Sequence, residues 1–141
     1  MSNQVKRVYE KPAASDGTRI LVDRLWPRGL SKQAAAVDKW LRDLAPSNEL
    51  RKWYHTDQGG WSVFRKRYLQ ELSQAKAARA LDELYQLARR GKITLLFGSK
   101  NEQRNNAVVL KELLDGARKP PAGAGPTAAA RVRRATRATK S

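Results

Sequence analysis

Ile93-Thr94-Leu95-Leu96-Phe97 is apolar on both faces apart from one threonine. A run without polar alternation predicts a central strand covered on both sides, the pattern of a parallel sheet. Gly98 supplies a tight exit. Ser99-x-x-Glu102 then has the spacing of a capping box, so a helix is expected to begin at once, with Ala107, Leu110, Leu113 and Leu114 on its buried face. Before the strand, residues 77–90 predict an amphipathic helix, with Ala80, Leu81, Leu84, Leu87 and Ala88 inward and Arg89, Arg90 and Gly91 suited to its end.

Further back, Trp61, Phe64, Tyr68, Leu72 and Ala75 recur at helical steps after the Gly59-Gly60 break. Ser47 is a candidate cap for a helix carrying Leu50 and Trp53 on one side. Residues 37–44 fit both a helix and a strand face, and Pro46 ends either. Ser31 is placed to cap a short helix over 32–36. Strands are expected over 5–10 and 19–23, joined by a loop over 13–18 too wide for a tight Asp16-Gly17 hairpin. These elements predict an α/β fold over residues 1–116: one three-layer domain with a small, largely parallel sheet flanked by helices.

Residues 117–141 differ in kind. Pro, Gly and Ala dominate, then Ala, Arg and Thr, with no apolar periodicity to offset the entropy of ordering. A disordered basic tail is expected there. It holds seven basic residues and no acid, within a chain of 29 Lys+Arg against 13 Asp+Glu and a formal charge of +16. That leaves the rest of the chain 22 basic residues against 13 acidic, so the body is basic by itself. Such an excess favours polyanions such as nucleic acid, as a non-specific term. The absence of cysteine excludes disulfides, thiolate metal sites and cysteine nucleophiles. No cofactor or metal is called for. No apolar run approaches a membrane span, and the start lacks a signal-peptide core, so a cytoplasmic location is expected.

Chemistry concentrates in two places. Ile20-Leu21-Val22-Asp23-Arg24-Leu25-Trp26-Pro27-Arg28-Gly29 is a buried strand opening into a rigid cationic loop. Asp23 at a strand end can serve as a base or nucleophile, and Arg24 and Arg28 can clamp a phosphate. Equally, Asp23 can hold an arginine in a structural ion pair. Trp26 suits packing more than ligand stacking. In the second place, Gly98-Ser99-Lys100 brings backbone N–H groups, a hydroxyl and an ammonium together after a strand, which suits an anion and is also an ordinary βα turn. If both strands are parallel, Asp23, Arg24, Arg28, Ser99 and Lys100 should converge on one cleft. His55 with Asp57 suggests half a triad without a nucleophile and fits a solvated loop better. Asn106 is a further possible ligand contact.

The stretch 19–29 resembles a known family, together with Leu44-Ala45-Pro46-Ser47, Leu50-Arg51-Lys52-Trp53, Phe64-Arg65-Lys66-Arg67-Tyr68, Thr94-Leu95-Leu96-Phe97, Lys100 and Asn106-Ala107. This is the YeaO-like proteins, a bacterial family catalogued as domain of unknown function 488. The resemblance runs through residues 5–114 in unbroken order. It implies a small α/β domain and no established activity. A transcription-regulator label attached to some members finds no helix-turn-helix here to support it. The family pattern usually has His-Asp where this chain has Thr56-Asp57, and Lys-Asp with a following His where it has Lys100-Asn101 and Arg104. The resemblance therefore carries anion binding to this chain better than acid–base catalysis. Two functions are expected to compete. One is an enzyme-like cleft for a phosphorylated small molecule, nucleotide or nucleic-acid end. The other is non-catalytic association with DNA or RNA through the basic face and tail. A purely structural or interaction module is a third possibility.

Overall fold

The structure is a computed structural model that describes residues 3–56 and 60–116, the side chains of 55 and 56 excepted. The expected tail lies outside the described residues. Strands β1 (Asn3–Arg7), β2 (Thr18–Leu21), β3 (Lys39–Trp40) and β4 (Ile93–Phe97) form one sheet in the order β1-β4-β2-β3. Every pairing is parallel. The helices are α1 (Lys32–Ala35), α2 (Asn48–Thr56), α3 (Gly60–Leu72), α4 (Ala75–Arg90) and α5 (Asn106–Asp115).

β4 is central, and all five of its residues are buried. Ile93, Leu95 and Phe97 join Ile20 and Val22 against α2–α5, through Leu50, Phe64, Tyr68, Leu81, Leu84 and Leu110. Each such side chain, fully buried, contributes about 1.5–3 kcal/mol. The opposite face is thinner: Leu21 and Leu96 meet Val8 and Ala35, with Trp26, Leu30, Val37 and Trp40 packed around them. The one polar residue of β4, Thr94, donates its hydroxyl to the Asp16 carbonyl at 2.7 Å, so a dry strand carries it without an orphaned group.

β1 and β2 flank β4 instead of pairing with each other, as a wide loop allows. Gly17 is required where that loop enters β2. Its φ is +66°, and a Cβ there would lie 2.3 Å from the Lys92 carbonyl oxygen. The ambiguous stretch 37–44 divides. Lys39–Trp40 pairs with β2 as a two-residue edge strand, and Arg42–Leu44 is a 3-10 turn that sends Leu44 into the main core. The first two strands begin and end earlier than expected, over Asn3–Arg7 and Thr18–Leu21. Asp23 consequently stands two residues past the end of β2.

The helix expected at Ser99 does not start there. The Ser99 hydroxyl accepts from Asn101 N–H at 3.1 Å, and Asn101 Oδ1 accepts from Gln103 and Arg104 N–H at 3.0 and 2.9 Å. These local side-chain bonds give the backbone an alternative to a helical turn. The true cap is Asn105, whose Oδ1 accepts from Val108 N–H at 3.0 Å and opens α5.

Candidate functional site

From β2 the chain runs to α1 on the thin face, and from β4 it runs to α5 on the opposite face. β2 and β4 are neighbours, so their connections diverge and a crevice opens at their carboxyl ends. Ligand sites of open α/β sheets lie at such switch points. Here the crevice is a cleft of about 540 Å³, and its lining includes Asp23, Arg24, Arg51, Gly98, Ser99 and Lys100. Tyr54, Phe64, Arg104 and Asn106 line it as well.

Asp23 ties the cleft's edges together. Oδ2 accepts from Gly98 N–H at 2.8 Å, and Oδ1 from the Asn106 amide at 3.2 Å. The same amide nitrogen donates to the Val22 carbonyl at 2.9 Å. One carboxylate and one amide thus staple the end of β2 to the end of β4 and the start of α5. A Cβ at Gly98 would approach Asp23 Oδ2 to 3.2 Å, so a larger residue there would crowd the carboxylate by a few tenths of an ångström. Burial pushes the Asp23 carboxyl above its ordinary value, against the Gly98 and Asn106 hydrogen bonds and the Arg51 charge, which pull it down.

The structural ion pair anticipated for Asp23 is therefore not with a neighbouring arginine. Arg24 turns to the Ala45 carbonyl, with Nη2 at 3.4 Å. Arg51 Nη2 lies 3.3 Å from Asn48 Oδ1. The Nε groups of Arg24 and Arg51 are buried and donate to nothing among the described residues. Lys100 and Arg104 are exposed on the loop after β4.

One expected member of the cleft, Arg28, lies elsewhere, and Trp26 takes the packing role that its sequence favoured over ligand stacking. Arg28 is absent from the cleft lining; it is exposed, and its carbonyl accepts from the Tyr9 hydroxyl at 3.1 Å. The turn at 27–30, with Gly29 at φ +82° and Leu30 N–H on the Pro27 carbonyl, carries it away. Trp26 packs edge-on against Trp40 at 5.5 Å and donates its indole N–H to Leu30 O at 2.7 Å, so it serves the thin-face core. His55 lies on α2 but its side chain is outside the described residues, as is Asp57. Among the described residues no group of three His, Cys, Asp or Glu is placed to hold a metal. No helix there is long and apolar enough to cross a membrane.

Arg51, Tyr54 and Phe64 were not expected from the sequence as site residues. Arg51 and Tyr54 sit on α2, and helical periodicity marks their apolar neighbours while leaving them looking solvated. A signal was available in the position of Ser47: a helix capped just after Pro46 starts beside the end of β2.

Residues 2–130 match the family model described as the inactive DUF488-N3 subclade. The chain is 44% identical over 114 residues to the uncharacterized protein YeaO of Escherichia coli, covering 81% of this chain and 97% of that protein. It is 42% identical over 113 residues to the uncharacterized protein Mb3100c of Mycobacterium bovis, covering 80% and 93%. Rv3073c of Mycobacterium tuberculosis matches with the same identity and coverage. No solved structure matches. With its motifs in order and relatives this similar across four-fifths of its length, the chain belongs to the YeaO-like DUF488 family, within the subclade described as inactive.

Proposed function

We propose that this protein binds a phosphorylated ligand in the cleft between β2 and β4, without catalysing its conversion. One observation carries the reading. Arg24, Arg51, Lys100 and Arg104 line a cleft whose described lining has one acid, Asp23, and none of the four makes a salt bridge among the described residues. Like charges gathered in one cleft without a salt bridge repel one another, and an anion between them relieves that cost. The buried, unpartnered Nε groups of Arg24 and Arg51 add to it, because a buried donor left unmade costs about 1–3 kcal/mol.

Three features support binding over chemistry. Asp23 is committed to Gly98 and Asn106. Asn101 and Arg104 stand where the resemblance places a carboxylate and an imidazole, and neither an amide nor a guanidinium serves as the general acid or base that a catalytic pair would require. The matching family description itself reads inactive.

Calorimetric titration with inorganic phosphate tests the proposal. Arg51→Gln should weaken binding about tenfold or more, the worth of a charge-assisted hydrogen bond. Arg28→Gln, outside the cleft, should leave it unchanged. Equal losses in both variants would show diffuse surface charge at work. Turnover of a simple phosphate ester that Asp23→Asn abolishes would replace binding by catalysis.

A second reading rests on composition: seven basic residues and no acid after Gly116 suit non-specific attachment to nucleic acid.

A further inference from the structure

The geometry points to a nucleoside 5′-phosphate, free or at the end of a strand, as the ligand of this cleft, with its base against the Tyr54–Phe64 wall. This rests on the phosphate-binding reading above and gives it a ligand class. The cleft is two-sided in chemistry. Arg24, Arg51, Lys100 and Arg104 supply charge, while Ala45, Pro46, Tyr54 and Phe64 supply an apolar wall. A phosphate ion alone has no use for that wall. The volume of about 540 Å³ lies in the range of small-molecule sites, about 300–1,000 Å³.

The wall is aromatic, and it is held from behind. Tyr54 stacks on Phe64 with ring centroids 4.4 Å apart and an interplanar angle of 25°. Phe64 is buried and stacks in turn on Trp61 at 5.6 Å and Tyr68 at 5.8 Å. Tyr68 is fully buried and donates its hydroxyl to the Leu44 carbonyl. Tyr54, half-buried and also 6.2 Å from Trp61, thus belongs to an aromatic cluster rooted in the core. A preorganised aromatic beside cationic side chains is what recognises a flat base joined to a phosphate, and stacking of that kind tolerates any base. A sugar phosphate would satisfy the cations and leave the aromatic wall unused.

The test is direct titration of the full-length chain with AMP, adenosine, ribose 5-phosphate, inorganic phosphate and a short 5′-phosphorylated oligonucleotide. AMP should bind about tenfold or more tighter than ribose 5-phosphate, in keeping with the worth of one base–aromatic stack. Tyr54→Leu should remove that advantage and leave ribose 5-phosphate unchanged, whereas Arg51→Gln should weaken both. An oligonucleotide equal to AMP identifies a free nucleotide as sufficient; a tighter one identifies the strand end as the source of the same chemistry. If wild-type protein binds ribose 5-phosphate or inorganic phosphate as tightly as AMP, the base inference is overturned and phosphate binding stands. If no phosphate compound binds, both readings fall. The wild-type comparison decides the matter even if Tyr54→Leu fails to fold, and melting of each variant identifies that case.

Discussion

Asp23 was legible in the sequence as an acid at a strand end, but its partners were not. Two arginines beside it in the chain suggested an ion pair. The carboxylate takes Gly98 N–H and the Asn106 amide instead, groups 75 and 83 residues away. Long-range partners of this sort leave no local trace. The residue's pH behaviour follows from its burial. Because the folded-state pKa is raised, Asp23 favours folding fully below its unfolded value, and that contribution is lost as pH rises through the folded value. Ionised, it also opposes an anion in the cleft. Binding of sulfate, whose own charge is constant from mildly acidic to neutral solution, should weaken as pH rises through the folded pKa of Asp23. In Asp23→Asn the pH dependence should vanish. That variant keeps an acceptor for Gly98 but turns an amide toward the Asn106 amide, so a loss of about 1–3 kcal/mol on thermal melting is expected. Sulfate binding in the wild type that does not vary with pH would remove Asp23 from the electrostatics of the cleft.

Among the elements, the long helices were readable because burial stamps its period on ten or more residues, and β4 because its five residues form an apolar run without alternation. β3 was not, since two residues cannot display an alternation and the strand exists only by pairing with β2. The start of α5 was misplaced because serine and asparagine serve both as caps and as turn formers. The start of β2 hides something more consequential. Asp16, 1% exposed, bonds Arg19 at 2.6 Å and Lys6 at 3.1 Å, and Arg19 reaches on to the Ala35 and Ala36 carbonyls. In the sequence Asp16-Gly17 reads as a solvated turn. Burial raises the Asp16 carboxyl, but the Ala13 N–H, Lys6 and Arg19 outweigh it, and the net displacement is below its ordinary value. With a lowered folded pKa, its contribution is present above the unfolded value and is lost as pH falls through the folded one. Arg19→Met should cost about 1–3 kcal/mol, because it takes one of two cations from a buried carboxylate that Lys6 still holds and leaves the Ala35 and Ala36 carbonyls without their guanidinium donor. Urea melts at neutral pH measure this. Asp16→Asn should also flatten the acid limb of the stability profile. A cost under about 0.5 kcal/mol for Arg19→Met, the usual size of a surface change, would show that the network is not holding β2 to α1.

At the scale of the whole molecule, the charge of +16 is the feature least explained by the fold. The cleft accounts for four cations. The tail carries seven basic residues and no acid, interrupted early by Pro120-Pro121, Gly123, Gly125 and Pro126. The family match extends to residue 130, so it runs past the end of α5 at Asp115. We predict that residues 117–141 contribute most of any non-specific nucleic-acid affinity and little to folding. Each phosphate they neutralise on a duplex releases counterion, with a slope of log affinity on log salt of about 0.9 per contact. Deleting them should flatten that slope and leave the melting temperature nearly unchanged. The competing account gives the binding to the body, with its 22 basic residues against 13 acids, and makes the tail a solubilising extension. Titrating labelled duplex against the full-length and Met1–Gly116 proteins at several salt concentrations separates the two. Equal affinities and equal slopes would take the tail out of nucleic-acid binding. A truncated protein that binds AMP normally but has lost duplex affinity would show that cleft and tail act on different phosphates.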